Sequence, residues 1–162
     1  MVRTLALVHD YFIQMGGAEK VAEELHQMFP TAPMYTTVDA RSEKPPALRQ
    51  AKVHTSWMQH LPGIKKKFRH YFALYPLAVE AFNLKEYDLI LSSSSGYAKG
   101  IRKRRDAIHI CYCHTPMRWA WRYDDYAARE QFDAVKRLVL PPVISALRRW
   151  AGRFDRFGNH CR

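Results

Sequence analysis

Residues 8–25 read VHDYFIQMGGAEKVAEEL, and their reading decides the fold. The run TLALV at 4–8 is short and apolar, apart from Thr4, as expected of a strand buried on both faces of a parallel sheet. Beyond Gly16 and Gly17, Val21, Leu25, Met28 and Phe29 recur at helical spacing beside Glu19, Lys20, Glu23 and Glu24, and Pro30 stops the pattern. The order is strand, loop, helix. A glycine pair just before a helix is either a plain turn or a place where bare amides let an anion approach the helix's positive end. A dinucleotide fingerprint requires G-x-G-x-x-G directly after the strand, and the longer loop from Val8 to Gly16 does not supply it.

Working outward, the alternation continues. Residues 34–38 and 52–55 read as extended pieces joined by the Pro-containing surface connection ARSEKPPALRQ. Residues 56–84 are aromatic, basic and helical in pattern, with breaks expected at Pro62-Gly63 and Pro76. YDLILS at 87–92 predicts a strand entering a serine loop, and 107–113 predicts another running into HTPMRW. Residues 126–154 read as helices interrupted at Pro141-Pro142. Alternating strands and helices predict an α/β fold, a Rossmann-like doubly wound parallel sheet, over residues 1–154, with 155–162 an atypical tail.

Lys and Arg number 26 against 15 Asp and Glu, a formal charge of +11, while 48% hydrophobic residues argue for a packed globule. Such a face meets something anionic: nucleic acid, acidic lipid or a phosphate-bearing molecule. No aromatic RNA-recognition signature lies on the strands, so no specific nucleic acid is expected. No apolar run approaches the ~20 residues of a membrane span, and the N-terminal stretch lacks a cleavage signal, which gives a cytoplasmic expectation. Cys111 and Cys113 share a strand face without being able to pair, Cys161 sits in the tail, and all three read as ordinary buried thiols. C-Y-C-H lacks a second ligand cluster, so no metal and no cofactor are expected.

Ligands of doubly wound sheets bind beyond the carboxyl ends of the strands, which gathers HDYFIQMGGAEK, SSSSGYAKG and HTPMRWAW at one edge. His114 follows a buried strand and precedes Thr115-Pro116, the posture of a site residue, although a histidine there also serves merely by satisfying a backbone carbonyl. Ser92 to Ser95 read as a solvated loop, since no G-x-S-x-G elbow exists. IRKRR at 101–105 reads as a solvated turn. Lys65, Lys66, Lys67 and Arg69 are interleaved with Trp57, Phe68, Tyr71, Phe72 and Tyr75, a mixture that suits either core packing or a membrane interface.

Taken together, VHDYFIQMGGAEKVAEELHQMFPTAPMYT, YDLILSSSSGYAKGI and HICYCHTPMRWAW resemble the N-terminal, acceptor-side domain of a family 4 glycosyltransferase of the GT-B type. The resemblance implies a retaining enzyme that moves a hexose from a nucleotide diphosphate sugar to an envelope polysaccharide or lipid-linked acceptor. It implies Gly16 and Gly17 beside the donor's diphosphate, His114 beside the transferred sugar as the catalytic group, and Lys99 and Arg118 toward the acceptor. Trp57, Lys65, Lys66, Lys67 and Arg69 would form a peripheral contact with an anionic membrane. The family's donor-binding domain carries a pair of acidic residues separated by seven others; Glu80 and Asp88 have that spacing but precede a strand of the first domain. The nucleotide sugar is therefore expected to bind only with a further C-terminal domain, and this chain to be inactive alone. The competing expectation is a non-catalytic basic module that binds anionic lipid, polysaccharide or nucleic acid.

Overall fold

A computed structural model describes residues 4–13, 16–41, 46–115, 117–122 and 134–155. The chain divides into two compact units, 1–114 and 115–162. In the first, β1 (Leu5–His9), β2 (Met34–Thr36), β3 (Val53–Thr55), β4 (Leu89–Ser94) and β5 (Ile108–Cys113) form one sheet in the order β3-β2-β1-β4-β5. Every pairing is parallel, with Leu7 opposite Met34 and Leu91, and His9 opposite Ser93. This is an α/β, Rossmann-like sheet.

Helix α1 (Gly17–Met28) follows β1 and covers one face of the sheet. Leu7, Phe12, Ala22, Met34 and Leu48 form the buried cluster there, with Leu5, Leu25 and Leu91 packed against it. Alternation sends Ala6, Val8 and Ile90 to the other face, and these are also buried. Burial on both faces is why β1 reads as an unbroken apolar run; β5, expected to be a buried strand, lies at the sheet edge and leaves Ile108, Ile110 and Tyr112 exposed. On that second face the Tyr35 ring meets Phe82 at 5.5 Å and Tyr87 at 5.9 Å. The connection at 40–50, expected to lie on the surface, puts Leu48 into the core from a short 3-10 turn at Pro46–Leu48.

The stretch 56–84 is not one helical run. It is a 3-10 turn at Trp57–His60, α2 (Ile64–Lys67), a 3-10 stretch at Phe68–Leu74 and α3 (Tyr75–Glu80). Gly63 makes the break after Pro62 with φ 65°, a left-handed conformation that glycine adopts without penalty. Pro76 lies in the first turn of α3, where its missing N–H costs nothing.

Strand β4 starts and ends two residues later than 87–92, so Ser92, Ser93 and Ser94 are fully buried strand residues and not a solvated loop. Their hydroxyls find buried partners, described below. At the opposite edge of the sheet, within 101–105, Arg104 bonds the carboxylates of Asp88 at 2.8 Å and Asp106 at 2.6 Å, while Arg102 pairs with Glu80. Cys113 is exposed, contrary to the expectation of a buried thiol, because it ends an edge strand; Cys111 is partly covered. Burial raises the Cys111 thiol pKa to about 11.

The second unit holds α4 (Arg118–Trp121) and α5 (Ala134–Asp155), tied by Arg148 Nε donating to the Ala120 carbonyl at 2.7 Å. Helix α5 runs through Pro141 and Pro142 where an interruption was expected. Proline's fixed φ is itself helical, and two adjacent prolines disturb the hydrogen bonding of a single turn in a helix of 22 residues. Cys161 and residues 156–162 lie outside the described residues. Among the described residues no helix is long and apolar enough to cross a membrane.

Candidate functional site

The order β3-β2-β1-β4-β5 reverses between β1 and β4, whose onward connections leave in opposite directions, and doubly wound sheets bind ligands in the crevice outside the carboxyl ends at such a reversal. Asp10, directly after β1, is buried there. Its carboxylate accepts the backbone amides of Ser95 at 2.6 Å, Tyr97 at 2.9 Å and Ala98 at 2.5 Å, and lies 3.4 Å from the Ser94 hydroxyl. Its carbonyl accepts the Thr37 amide at 3.1 Å. One residue thus pins the ends of β1, β2 and β4 together and shapes the loop after β4.

His9, the last residue of β1, is buried, and its Nδ1–H donates to the Ser93 carbonyl at 3.1 Å. Burial lowers its pKa, partly offset by the nearby Asp10 and Glu19 carboxylates. Ser93 Oγ lies 3.3 Å from His9 Nδ1, 3.3 Å from the Ala18 carbonyl of α1 and 2.8 Å from His114 Nε2. His114, one residue past β5, is held by its own amide on the Ser94 carbonyl at 2.9 Å and by edge contact with the Tyr112 ring at 4.9 Å. β1, β4, β5 and the start of α1 therefore meet at one serine hydroxyl.

Gly16 is the N-cap of α1, and its amide donates to the buried Glu19 carboxylate at 3.0 Å. That bond consumes one of the bare amides expected to face an anion. The amides of Gly17 and Ala18 have no acceptor within the helix. A side-chain carbon built on Gly17 meets nothing within 4 Å, so neither packing nor backbone strain demands glycine there. The space beside Gly17 is open.

Lys99 is 6% exposed, within the 3-10 turn at Ala98–Gly100, so the protein buries it where sequence placed it toward an acceptor. Arg118 opens α4 in the second unit, and its side chain lies outside the described residues. Trp57 is 43% exposed, and Lys65, Lys66, Lys67 and Arg69 are exposed. The aromatics among them divide: Phe68, Tyr71 and Phe72 are half-buried and Tyr75 is core. Tyr75 stacks on Tyr97 at 4.7 Å, and Tyr11 meets Phe68 at 5.6 Å and Tyr75 at 5.8 Å. Burial pushes the Tyr11 hydroxyl up to about 12. This aromatic cluster fastens the basic segment to the loop that Asp10 holds.

Sequence reasoning singled out Gly16, Gly17 and His114 but not His9, Asp10, Glu19 or Ser93, which position them. The available signal was a His-Asp pair ending an apolar strand, polar side chains bound for burial at the carboxyl edge. Arg41 was also missed: its side chain is 3% exposed, pairs with Asp39 at 2.9 Å and lies 3.9 Å above the Phe12 ring, bracing the loop after β1.

Histidine and serine side chains beside helix amides that lack an acceptor within the helix can donate hydrogen bonds to oxygens of a ligand at this edge of the sheet. No protein-family model, no curated protein and no solved structure matches this chain.

Proposed function

We propose that this chain is the acceptor-side domain of a retaining glycosyltransferase of the GT-B, family 4 type. Joined to a donor-binding domain, it transfers a hexose from a nucleotide diphosphate sugar to an envelope polysaccharide or lipid-linked acceptor. The observation that carries this reading is the meeting of His114, Ser93 and the start of α1 at the sheet's reversal point, beside the open space at Gly17. There His114 lies beside the transferred sugar, and the Gly17 amide faces the departing diphosphate. Catalysis is then positioning plus stabilisation of charge on an oxocarbenium-like sugar and its leaving group. The exposed Lys65, Lys66, Lys67 and Arg69 give the domain a peripheral landing face on anionic membrane, which suits a lipid-linked acceptor.

The test is a radiolabel transfer assay with a panel of nucleotide sugars, on this chain alone and fused to a family 4 donor-binding domain. Transfer by the fusion only, lowered roughly a hundredfold by His114→Ala, is expected. Turnover by this chain alone, or a fusion indifferent to His114, overturns the reading. The exposed cations also favour a second reading, a non-catalytic basic module that holds anionic lipid, polysaccharide or nucleic acid. That reading expects salt-sensitive binding with no dependence on His114 or Gly17.

A further inference from the structure

A single hydroxyl proton decides which side of its chemistry His114 shows to the crevice. We propose that Ser93 is a positioning residue that holds neutral His114 as its Nδ1–H tautomer, so that the site offers its ligand an N–H donor and not a basic ring nitrogen. The proposal deepens the function proposed above by giving His114 its role, but it stands on contacts within this chain and is tested without a transfer assay.

The Ser93 carbonyl can only accept, so His9 Nδ1, 3.1 Å away, carries a proton. Burial keeps the His9 ring neutral, which places its other nitrogen in the acceptor state. The same Nδ1–H lies 3.3 Å from Ser93 Oγ and occupies a lone pair of that oxygen. The hydroxyl's own proton must then go elsewhere, and two acceptors are in reach: the Ala18 carbonyl at 3.3 Å and His114 Nε2 at 2.8 Å.

Distance and competition decide between them. A hydroxyl bond is near its optimum at about 2.8 Å and long at about 3.3 Å. The Ala18 carbonyl already accepts within the hydrogen-bond ladder of α1 and has one lone pair left for the longer bond, whereas His114 Nε2 has no other partner among the described residues. Ser93 is fully buried, so water does not compete for the proton. The proton goes to His114 Nε2, and a neutral ring that accepts at Nε2 carries its own proton at Nδ1. Nδ1, the nitrogen left for a ligand, then donates to an oxygen and takes no proton from a hydroxyl. His114 in this state is an electrostatic group and not a general base.

Two-bond proton–nitrogen correlation spectra of the whole chain, labelled with nitrogen-15 at histidine, read the tautomer directly at about pH 8.5, well above the ordinary imidazole pKa of ~6.5. A His114→Asn variant assigns the signals. The wild type is expected to show the Nδ1–H pattern at His114, and Ser93→Ala to lose it in favour of the Nε2–H form. Ser93→Cys, a weaker donor of similar size, is expected to give a mixture. An Nε2–H pattern in the wild type overturns the proposal, as does an unchanged pattern in a folded Ser93→Ala. If Ser93→Ala does not fold, the wild-type spectrum and Ser93→Cys decide. A chain that shows the Nδ1–H pattern while its fusion to a donor-binding domain fails every transfer assay refutes the transferase reading and leaves this inference standing.

Discussion

The Asp10 carboxylate accepts the Ala98 amide at 2.5 Å across a sequence separation of 88 residues, and takes the Ser95 and Tyr97 amides as well. The loop after β4 has this one side chain as its organising centre. Asp10→Ala leaves the buried amides of Tyr97 and Ala98 and the part-buried amide of Ser95 without their acceptor, each buried one costing about 1–3 kcal/mol. A loss of ~3 kcal/mol is expected, with Asp10→Asn intermediate because one oxygen still accepts. Urea titration followed by circular dichroism measures both, and a loss in Asp10→Ala below about 1 kcal/mol would show the loop to be held by other contacts.

The first strand, the first helix and the parallel sheet were legible because apolar runs and helical spacing are local signals. The serines of β4 were not: Ser92 looks like loop until His109 Nε2 is placed 2.8 Å from it, and Ser93 until His114 is. Asp10 passed unremarked for the same reason, its partners being backbone amides 85 to 88 residues away. Composition placed aromatics between the lysines but did not say that Tyr75 belongs to the core while Trp57 stays half exposed. Tertiary pairing supplied what local pattern lacked.

His109 gives the fold an acid limit. Burial first, and then Lys103, lower its pKa to about 4, with Ser92 at its Nε2. The unfolded ring takes its proton near pH 6.5 and the folded one only near about 4, so the unfolded state binds more protons in that window. Stability is full above pH 6.5 and falls as pH drops toward 4, by about 2–3 kcal/mol from this residue. The buried His9, also shifted down, adds in the same direction. Melting temperatures from pH 7.5 to 4.5 should fall less steeply in His109→Gln; parallel curves for the two proteins would assign the acid sensitivity elsewhere.

Gly17 separates folding from function. A side-chain carbon there meets nothing within 4 Å, and alanine is the better helix former, so Gly17→Ala is expected to melt at the same temperature or higher, by up to about 1 kcal/mol of added stability. In a transferase fusion, Gly17→Val is expected to fold equally well and to lose most activity, because its methyls fill the space that the proposed ligand needs. Full activity in a folded Gly17→Val would return the glycine pair to the role of a plain turn.

Membrane contact turns on whether the exposed cations act with Trp57 or by charge alone. Each Lys or Arg near an anionic bilayer is worth about 1 kcal/mol, so Lys65, Lys66, Lys67 and Arg69 together supply roughly 4 kcal/mol at low salt if all reach the surface. That sum gives reversible attachment, and it weakens as salt shortens the screening length. Tyr75 and its partners Tyr11 and Tyr97 stay in the protein, so insertion is shallow and falls to Trp57 and the half-buried Phe68 and Phe72. The chain is expected to sediment with vesicles containing acidic lipid, to be released by salt, and to lose most binding when Lys65, Lys66 and Lys67 are changed to Glu. Trp57 emission should shift to the blue on binding, with Trp57→Phe removing the shift and so excluding the other tryptophans as its source. Binding that survives the triple reversal would move the membrane face elsewhere. Binding without a Trp57 shift would leave the cations as a purely electrostatic patch, equally suited to a soluble anionic acceptor.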